Sequence, residues 1–386
     1  MGFFMQYSGG GAVVKGLRNI SIETITNGFV PDGVIVFDEV IHYVGTPQNL
    51  PSFNKPIEWM DGGGAVAFPG LIDVHTHLGI NEEGIGIEGD SFNELSSAVT
   101  PQIRVIDGIN PFDEGYYRAL MGGVTTVQVV PGSSNIIGGL TAIIKVKPGR
   151  PVEEQVLQSP SGLKIAFGEN PILAHRNVAT TRMGVAAVIR EAFWHAKKNE
   201  GIAPATMAEE AMQYVLAHHL SVKAHAHQAD DILTAIRIAK EFGLNLTIVH
   251  ATDSLKILPQ IKSSGYDVVL GPTMMGKLKV ELANLSWEVY RAFEEAGIPF
   301  TITTDHPVVP IDELLTEARR AMSYGLSEKT AAEAITIQAA RQLNLSDRIG
   351  SLEIGKDADI VLWSANPLKD FKAKPVMIFI DGEQVF

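Results

Sequence analysis

Two spacings of apolar residues divide this chain. Through residues 1 to about 67 the apolar positions come in short runs: Gly33–Phe37 is one, and Val40, His42 and Val44 alternate through Glu39–Gly45. Turn residues separate the runs, which predicts β-strands. Asp61-Gly62-Gly63-Gly64 then punctuates the sequence. Beyond it, strand-length apolar runs recur at Leu71–Val74, Val124–Val130, Ala142–Val146, Leu163–Phe167, Ser221–Ala224, Asn245–Val249, Asp267–Leu270 and Phe300–Thr304. Nearly continuous apolar strands imply burial on both faces, as in parallel sheets. Amphipathic stretches lie between several of them. Asp230–Phe242 puts Ile232, Ala235, Ile236 and Ala239 on one face, and Ser286–Ala296 and Asp312–Ser323 behave likewise. Eight strand runs with helices between them predict an α/β fold closed into a (β/α)8 TIM barrel. From Gly350 on, strand-like runs return at Ala358–Trp363 and Val376–Ile380. Residues 1–67 and 350–386 are therefore expected to form a small β-sandwich domain from both chain ends, with the barrel over 68–349.

Two stretches break the rhythm. Residues 79–115 are long, weakly periodic and rich in glycine and acidic residues. Such an insertion after a barrel strand is expected to be a lid or binding loop. Residues 147–160 read as a second surface excursion.

Composition narrows the partners. The chain has 386 residues, 45% hydrophobic and 19% charged, enough for a large buried core without long disordered stretches. Its formal net charge of -13, with no basic run to offset it, repels phosphate backbones and anionic membrane surfaces. Nucleic acid is thereby excluded as an expected partner and a small-molecule substrate is left; a homo-oligomer stays open. The start, Met1–Gln6, is apolar but lacks a basic flank and a signal-length run, and nothing approaches a membrane span. The expected location is cytoplasmic. There are no cysteines, so disulfides, thiolate metal sites and a cysteine nucleophile are out. Any metal must be held by imidazoles, carboxylates or other oxygen donors.

The strand ends carry the chemistry. The first run enters His75-Thr76-His77, the fifth His225-Ala226-His227, the sixth His250 and the eighth Asp305-His306. Six of the 11 histidines thus sit at four strand ends. In a β/α barrel those ends line the active site. Histidines two apart on a strand share a face and can grip one ion. A lone His-x-His is most often core packing. Here chance would also have to put His225, His250 and Asp305 at separate strand ends.

Phe68-Pro69-Gly70-Leu71-Ile72-Asp73-Val74-His75-Thr76-His77 resembles the first-strand signature of the amidohydrolase superfamily. Ile349-Gly350-Ser351-Leu352-Glu353-Ile354-Gly355-Lys356-Asp357-Ala358-Asp359-Ile360 resembles its C-terminal signature. The likeness is greatest to the imidazolonepropionase-like and prolidase-like subgroup. It implies a hydrolase of C–N bonds with one or two divalent ions, zinc ahead of iron, manganese or nickel. By the same resemblance His75 and His77 would bind the more buried ion, and His225 and His250 a second. Asp305 would touch the metal's water and serve as general base, then acid. His227 and His306 would contact substrate or support the ligands. For a fourth-strand ligand two residues compete: Lys164, where relatives carry a carboxylated lysine, and Glu169, where others use a glutamate. They are five positions apart and cannot share a face of a regular strand. Glu169, which needs no modification, is the first choice.

Gln228 stands three residues after His225, where deaminases of the superfamily often carry a proton-shuttling glutamate. Glutamine cannot shuttle a proton that way. This favours an amide, lactam or peptide-like substrate over a heterocyclic deaminase substrate. A non-catalytic barrel scaffold is disfavoured by the five strand-end ligands. The Gly132–Gly139 stretch reads as an ordinary glycine loop, and Arg176 and Arg182 as surface residues.

Overall fold

The structure, a computed structural model, describes residues 14–386, so Met1–Gln6 lies outside the described residues. Both chain ends enter one mixed sheet. Val14–Glu23, Phe29–Phe37, Ile41–Gly45, Ile57–Asp61 and Val66–Pro69 supply its N-terminal strands, and Ile360–Trp363, Pro375–Ile380 and Glu383–Gln384 its C-terminal ones. Phe37 and Phe379 lie on strands four places apart in this sheet, yet their ring centroids are 5.0 Å apart. Flat strands about 4.8 Å apart would separate them by roughly 19 Å. The sheet therefore folds over on itself, around a core that includes Leu17, Ile35, Ala67, Ile360 and Leu362.

The second sheet is the barrel. Its strands are β1 (Leu71–Thr76), β2 (Val124–Val129), β3 (Ile137–Lys145), β4 (Val156–Ala166), β5 (Ser221–Ala226), β6 (Asn245–His250), β7 (Asp267–Leu270) and β8 (Thr301–Ile302), paired in that order. All eight expected runs are strands. The departure lies in β3, which is longer than its apolar signal and antiparallel to both neighbours. The connections over 130–136 and 146–155 hold no α-helix. They are shorter than the dozen or so residues that a parallel crossover needs. The Gly132–Gly139 stretch is half loop, with Ile137–Gly139 already in β3. β4 likewise begins at Val156, inside the expected excursion.

Elsewhere helices cover the barrel as the periodicity predicts. The helix Ala229–Phe242 buries Ile232, Ala235, Ile236 and Ala239. It ends at Gly243, whose left-handed φ of 71° closes the last turn without a Cβ penalty. Each buried isoleucine there contributes about 1.5–3 kcal/mol. The helices Glu288–Ala296 and Leu314–Ser323 match the other two stretches.

Between β8 and β1 no ladder forms, and side chains close the ring. Asp73 is fully buried and accepts from Thr303 Oγ1 (2.6 Å), Thr304 Oγ1 (2.6 Å) and the Thr304 N–H (2.9 Å). The His77 N–H donates to the His306 carbonyl at 2.8 Å. Residues 79–115 fold over the mouth and are tied down. Asp113 accepts N–H groups of Gly79 and Glu83, and Arg118 pairs with Glu83 and Asp312. On β3, buried Lys145 contacts Asp357 (2.7 Å), Asp359 (3.1 Å) and Asp381, locking barrel to small sheet. Burial opposes its charge, but the three carboxylates outweigh that and raise its pKa. Among the described residues no helix is long and apolar enough to cross a membrane.

Candidate metal centre

Three of the strand-end residues reach the mouth through backbone irregularities. Ile72 and Val74 of β1 pack with Val249 and Val269 inside the barrel. Strict alternation would then turn His75 away. Instead the register slips between Asp73 and Thr76, so Val74 and His75 together stand opposite Gln128. This bulge brings His75, and two residues later His77, to the inner face. On β6, Val249 is interior and His250 follows at φ 74°, with Ala251 at 47°. The left-handed turn aims consecutive side chains inward. Asp305 after β8 also has a positive φ, 52°. Such conformations typically cost about 1–3 kcal/mol each and concentrate at functional sites.

The result is two groups of converging ligand atoms, His75–His77–Asp305 and His225–His227–His250, each mutually within 4.8 Å. Asp305 Oδ1 lies 3.3 Å from Nε2 of both His75 and His77. The ring centroids of His225, His227 and His250 are 4.6–4.7 Å apart. His75 and His250 link the groups at 5.5 Å. Outer contacts fix the tautomers. His77 Nδ1–H donates to the Val130 carbonyl (2.7 Å) and His250 Nδ1–H to the Gly271 carbonyl (2.8 Å), leaving each Nε2 free to ligate. His227 Nδ1 meets Thr252 Oγ1 at 2.7 Å.

These groups fit a divalent cation. His225 Nε2 and Asp305 Oδ1 are buried without a hydrogen-bond partner. Each such orphan costs about 1–3 kcal/mol, which a cation among them would relieve. Burial holds His75, His225 and His227 well below the ordinary imidazole pKa and takes His250 to about 4. All four are thus neutral near pH 7, the ligating form. Burial opposes ionisation of Asp305, but its contacts with His75 and His77 prevail and hold its pKa well below the carboxylate range.

Lys164 points into the same space, with Nζ 3.1 Å from His75 Nε2. Burial, aided by Lys223, brings its pKa down to about 8 against the pull of Asp305. Glu169 is in neither ligand group. The strand has ended at Ala166, and Gly168, at φ 84°, leads into the short helix Glu169–Ala174. A Cβ on Gly168 would collide with Glu281 Oε1, which accepts the Glu169 N–H at 2.5 Å. His306 lies apart from both groups: its Nδ1 accepts the Ile311 N–H, and its Nε2 is buried against Gly115. Gln228 precedes the helix Ala229–Phe242 and accepts from Arg182 Nη2 (2.5 Å), and Arg182 also pairs with Asp231.

Two contributors carried no sequence signal. Phe92, from the 79–115 insertion, packs 4.9 Å from the His77 ring. Lys279, in the loop after β7, bonds Asn170 Oδ1 at 2.9 Å, and its charge reaches His225, His227 and His250. Neither stands beside a motif or in a periodic element.

The loop that orients His250 has its own support. Buried Glu317 accepts N–H groups from Thr273 (2.9 Å) and Met274 (2.7 Å), next to Gly271. Burial raises its pKa from 4.5 to about 7. Between those values the folded state holds a proton that the unfolded chain has lost, so this group's contribution to stability falls as pH rises through that window. Glu317→Gln keeps the acceptor and removes the charge. Its stability relative to wild type should rise from pH 4.5 to about 7, by up to about 3 kcal/mol, then level off. Denaturant unfolding at pH 5 and pH 8 checks this; equal differences at both would count against it.

An amidohydrolase family model matches residues 66–385. Among curated relatives, the "Amidohydrolase tasK" of Hapsidospora irregularis is 28% identical over 84% of this chain, which spans only 37% of that protein. An imidazolonepropionase of Polaromonas sp. is 26% identical over 86% of this chain and 83% of its own length. The crystal structure of an amidohydrolase from Thermotoga maritima superposes with a TM-score of 0.90 at 38% identity, covering 96% of this chain and 99% of that one. With barrel, strand-end histidines and family match in agreement, the chain belongs to the amidohydrolase family, the metal-dependent hydrolases of carbon–nitrogen bonds.

Proposed function

We propose that this protein hydrolyses the C–N bond of a small amide, lactam or peptide-like substrate at a centre of two divalent ions, zinc foremost. The observation that carries the reading is the approach of both ligand groups to Lys164, which touches His75 and whose charge reaches His225, His227 and His250. A divalent ion bound there supplies a water whose pKa falls from about 15.7 towards 7 and a Lewis acid for the scissile carbonyl.

The chain's own residues do the rest. His75 and His77 would hold one ion and His225 and His250 the other, with Lys164, rather than Glu169, as the shared ligand. Its neutral amine would add CO2 with loss of a proton, giving a carbamate that offers two oxygens as ligands. Asp305, ionised, takes a proton from the attacking water and returns it to the leaving nitrogen. His227, tethered to Thr252, faces the substrate. His306, buried beside Gly115, has no substrate role in this reading. The engagement of Gln228 by Arg182 also favours an amide over a deaminase substrate.

Metal analysis tests the arrangement. Wild-type protein should hold two equivalents of metal and Lys164→Ala at most one. Growth with 13C-bicarbonate should add a carbamate carbon resonance that Lys164→Ala lacks. Equal metal content in the two proteins, or no resonance in the wild type, would remove Lys164 from the bridge.

A further inference from the structure

The opposite end of the barrel holds polar groups that the chemistry above does not use. Lys223 lies on β5, on the same strand face as His225 but towards the N-terminal mouth, opposite Lys164 in the β4 register. It is wholly buried, and its Nζ has no hydrogen-bond partner. Asp267, at the base of β7, influences it electrostatically without forming an ion pair with it. An ammonium buried without a partner costs several kcal/mol. Lys223 lines a cavity of about 120 Å³ together with Gln128, Ser161, Ser221 and Gln342.

Gln342 adds a second unmatched donor. It is 7% exposed; its Oε1 accepts from Thr301 Oγ1 at 2.8 Å, while its Nε2 has no partner. Across the cavity, Gln128 spends both its Nε2 contacts on Thr141 and Ser161 and leaves only Oε1 unpaired. The unmet hydrogen-bonding capacity is thus mainly N–H, from an ammonium and a primary amide. A space of 120 Å³ leaves room for a small anion beside Lys223 and Gln342.

We propose that the N-terminal mouth of the barrel is a binding site for a small oxyanion of the formate, acetate or nitrate class, held by Lys223 Nζ and Gln342 Nε2. The anion would join β5 to the helix Ile337–Gln342, which Gln342 already ties to β8 through Thr301. Occupancy would stabilise the barrel floor while leaving the metal centre's ligands untouched. The inference is independent of the substrate reading.

The test uses metal-loaded protein titrated with sodium formate and sodium nitrate, with sodium chloride making up a constant ionic strength. Thermal unfolding of the wild type should show a saturable rise in Tm as formate or nitrate replaces chloride. The saturable rise should vanish in Gln342→Leu, which keeps Lys223, and in Lys223→Met where that variant folds. A rise that persists in Gln342→Leu assigns the anion to the metal centre or another surface and overturns the proposal. So does a linear, unsaturable rise with both salts. Isothermal titration of formate into wild type and Gln342→Leu gives the same decision directly, with heat expected only from the wild type.

Discussion

Asp305→Asn should keep its metal and lose turnover by about 10²–10⁴-fold in kcat, the range that general acid–base catalysis supplies. The substitution is nearly isosteric. Asparagine tolerates the left-handed backbone that the φ of 52° imposes here, so the strand end should stay in place. Its amide oxygen can still lie against His75 and His77. What it cannot do is accept a proton from water and hand it to a leaving nitrogen. The wild-type carboxylate has a pKa well below the ordinary carboxylate range, so it starts as base throughout the neutral range. Metal content by plasma mass spectrometry and steady-state kinetics on an amide substrate decide the matter. Undiminished kcat in a metal-replete variant would sink the assignment of Asp305.

His75→Ala should lose metal and turnover together. His75 is fully buried, with Nε2 between Asp305 Oδ1 at 3.3 Å and Lys164 Nζ at 3.1 Å. It is also the residue that links the two ligand groups. Removing it deletes a ligand and leaves Lys164 and Asp305 facing a void. Thr252→Val, which only unties His227, is the comparison. His227 holds no ion in the proposed arrangement, so Thr252→Val should keep its metal and lose only part of its activity, roughly 10–100-fold at most. The ligand deletion should exceed that, with activity at background. The fold should survive, because the contact of Thr303 with His75 uses the backbone carbonyl. A His75→Ala protein that retains full metal would show that the ion sits elsewhere.

The sequence carried the architecture further than the site. All eight barrel strands could be found from apolar runs, because strands buried on both faces leave a strong signal. The reversal of β3 could not, since an apolar run has no direction. The histidines were visible as strand-end residues, yet the reason they converge was not. His250 follows interior Val249, and His75 follows interior Val74. Alternation alone would send one residue of each pair outward. The bulge and the positive φ that correct this are tertiary outcomes. The competition between Lys164 and Glu169 turned on strand parity, which lapses because the strand ends at Ala166 and Glu169 opens a helix. Phe92 and Lys279 belong to loops, whose paths no periodicity encodes.

The missing ladder between the first and last barrel strands has a mechanical meaning. Seven strand pairs are held by backbone ladders, while the eighth junction depends largely on one carboxylate, Asp73, gripping two threonines. That junction lies directly beneath His75 on one side and Asp305 on the other. The barrel's softest line therefore runs between Asp305 and His75. Their mutual alignment is set by a side chain outside both groups, and a small breathing motion there would shift one against the other while the remaining staves stayed in place.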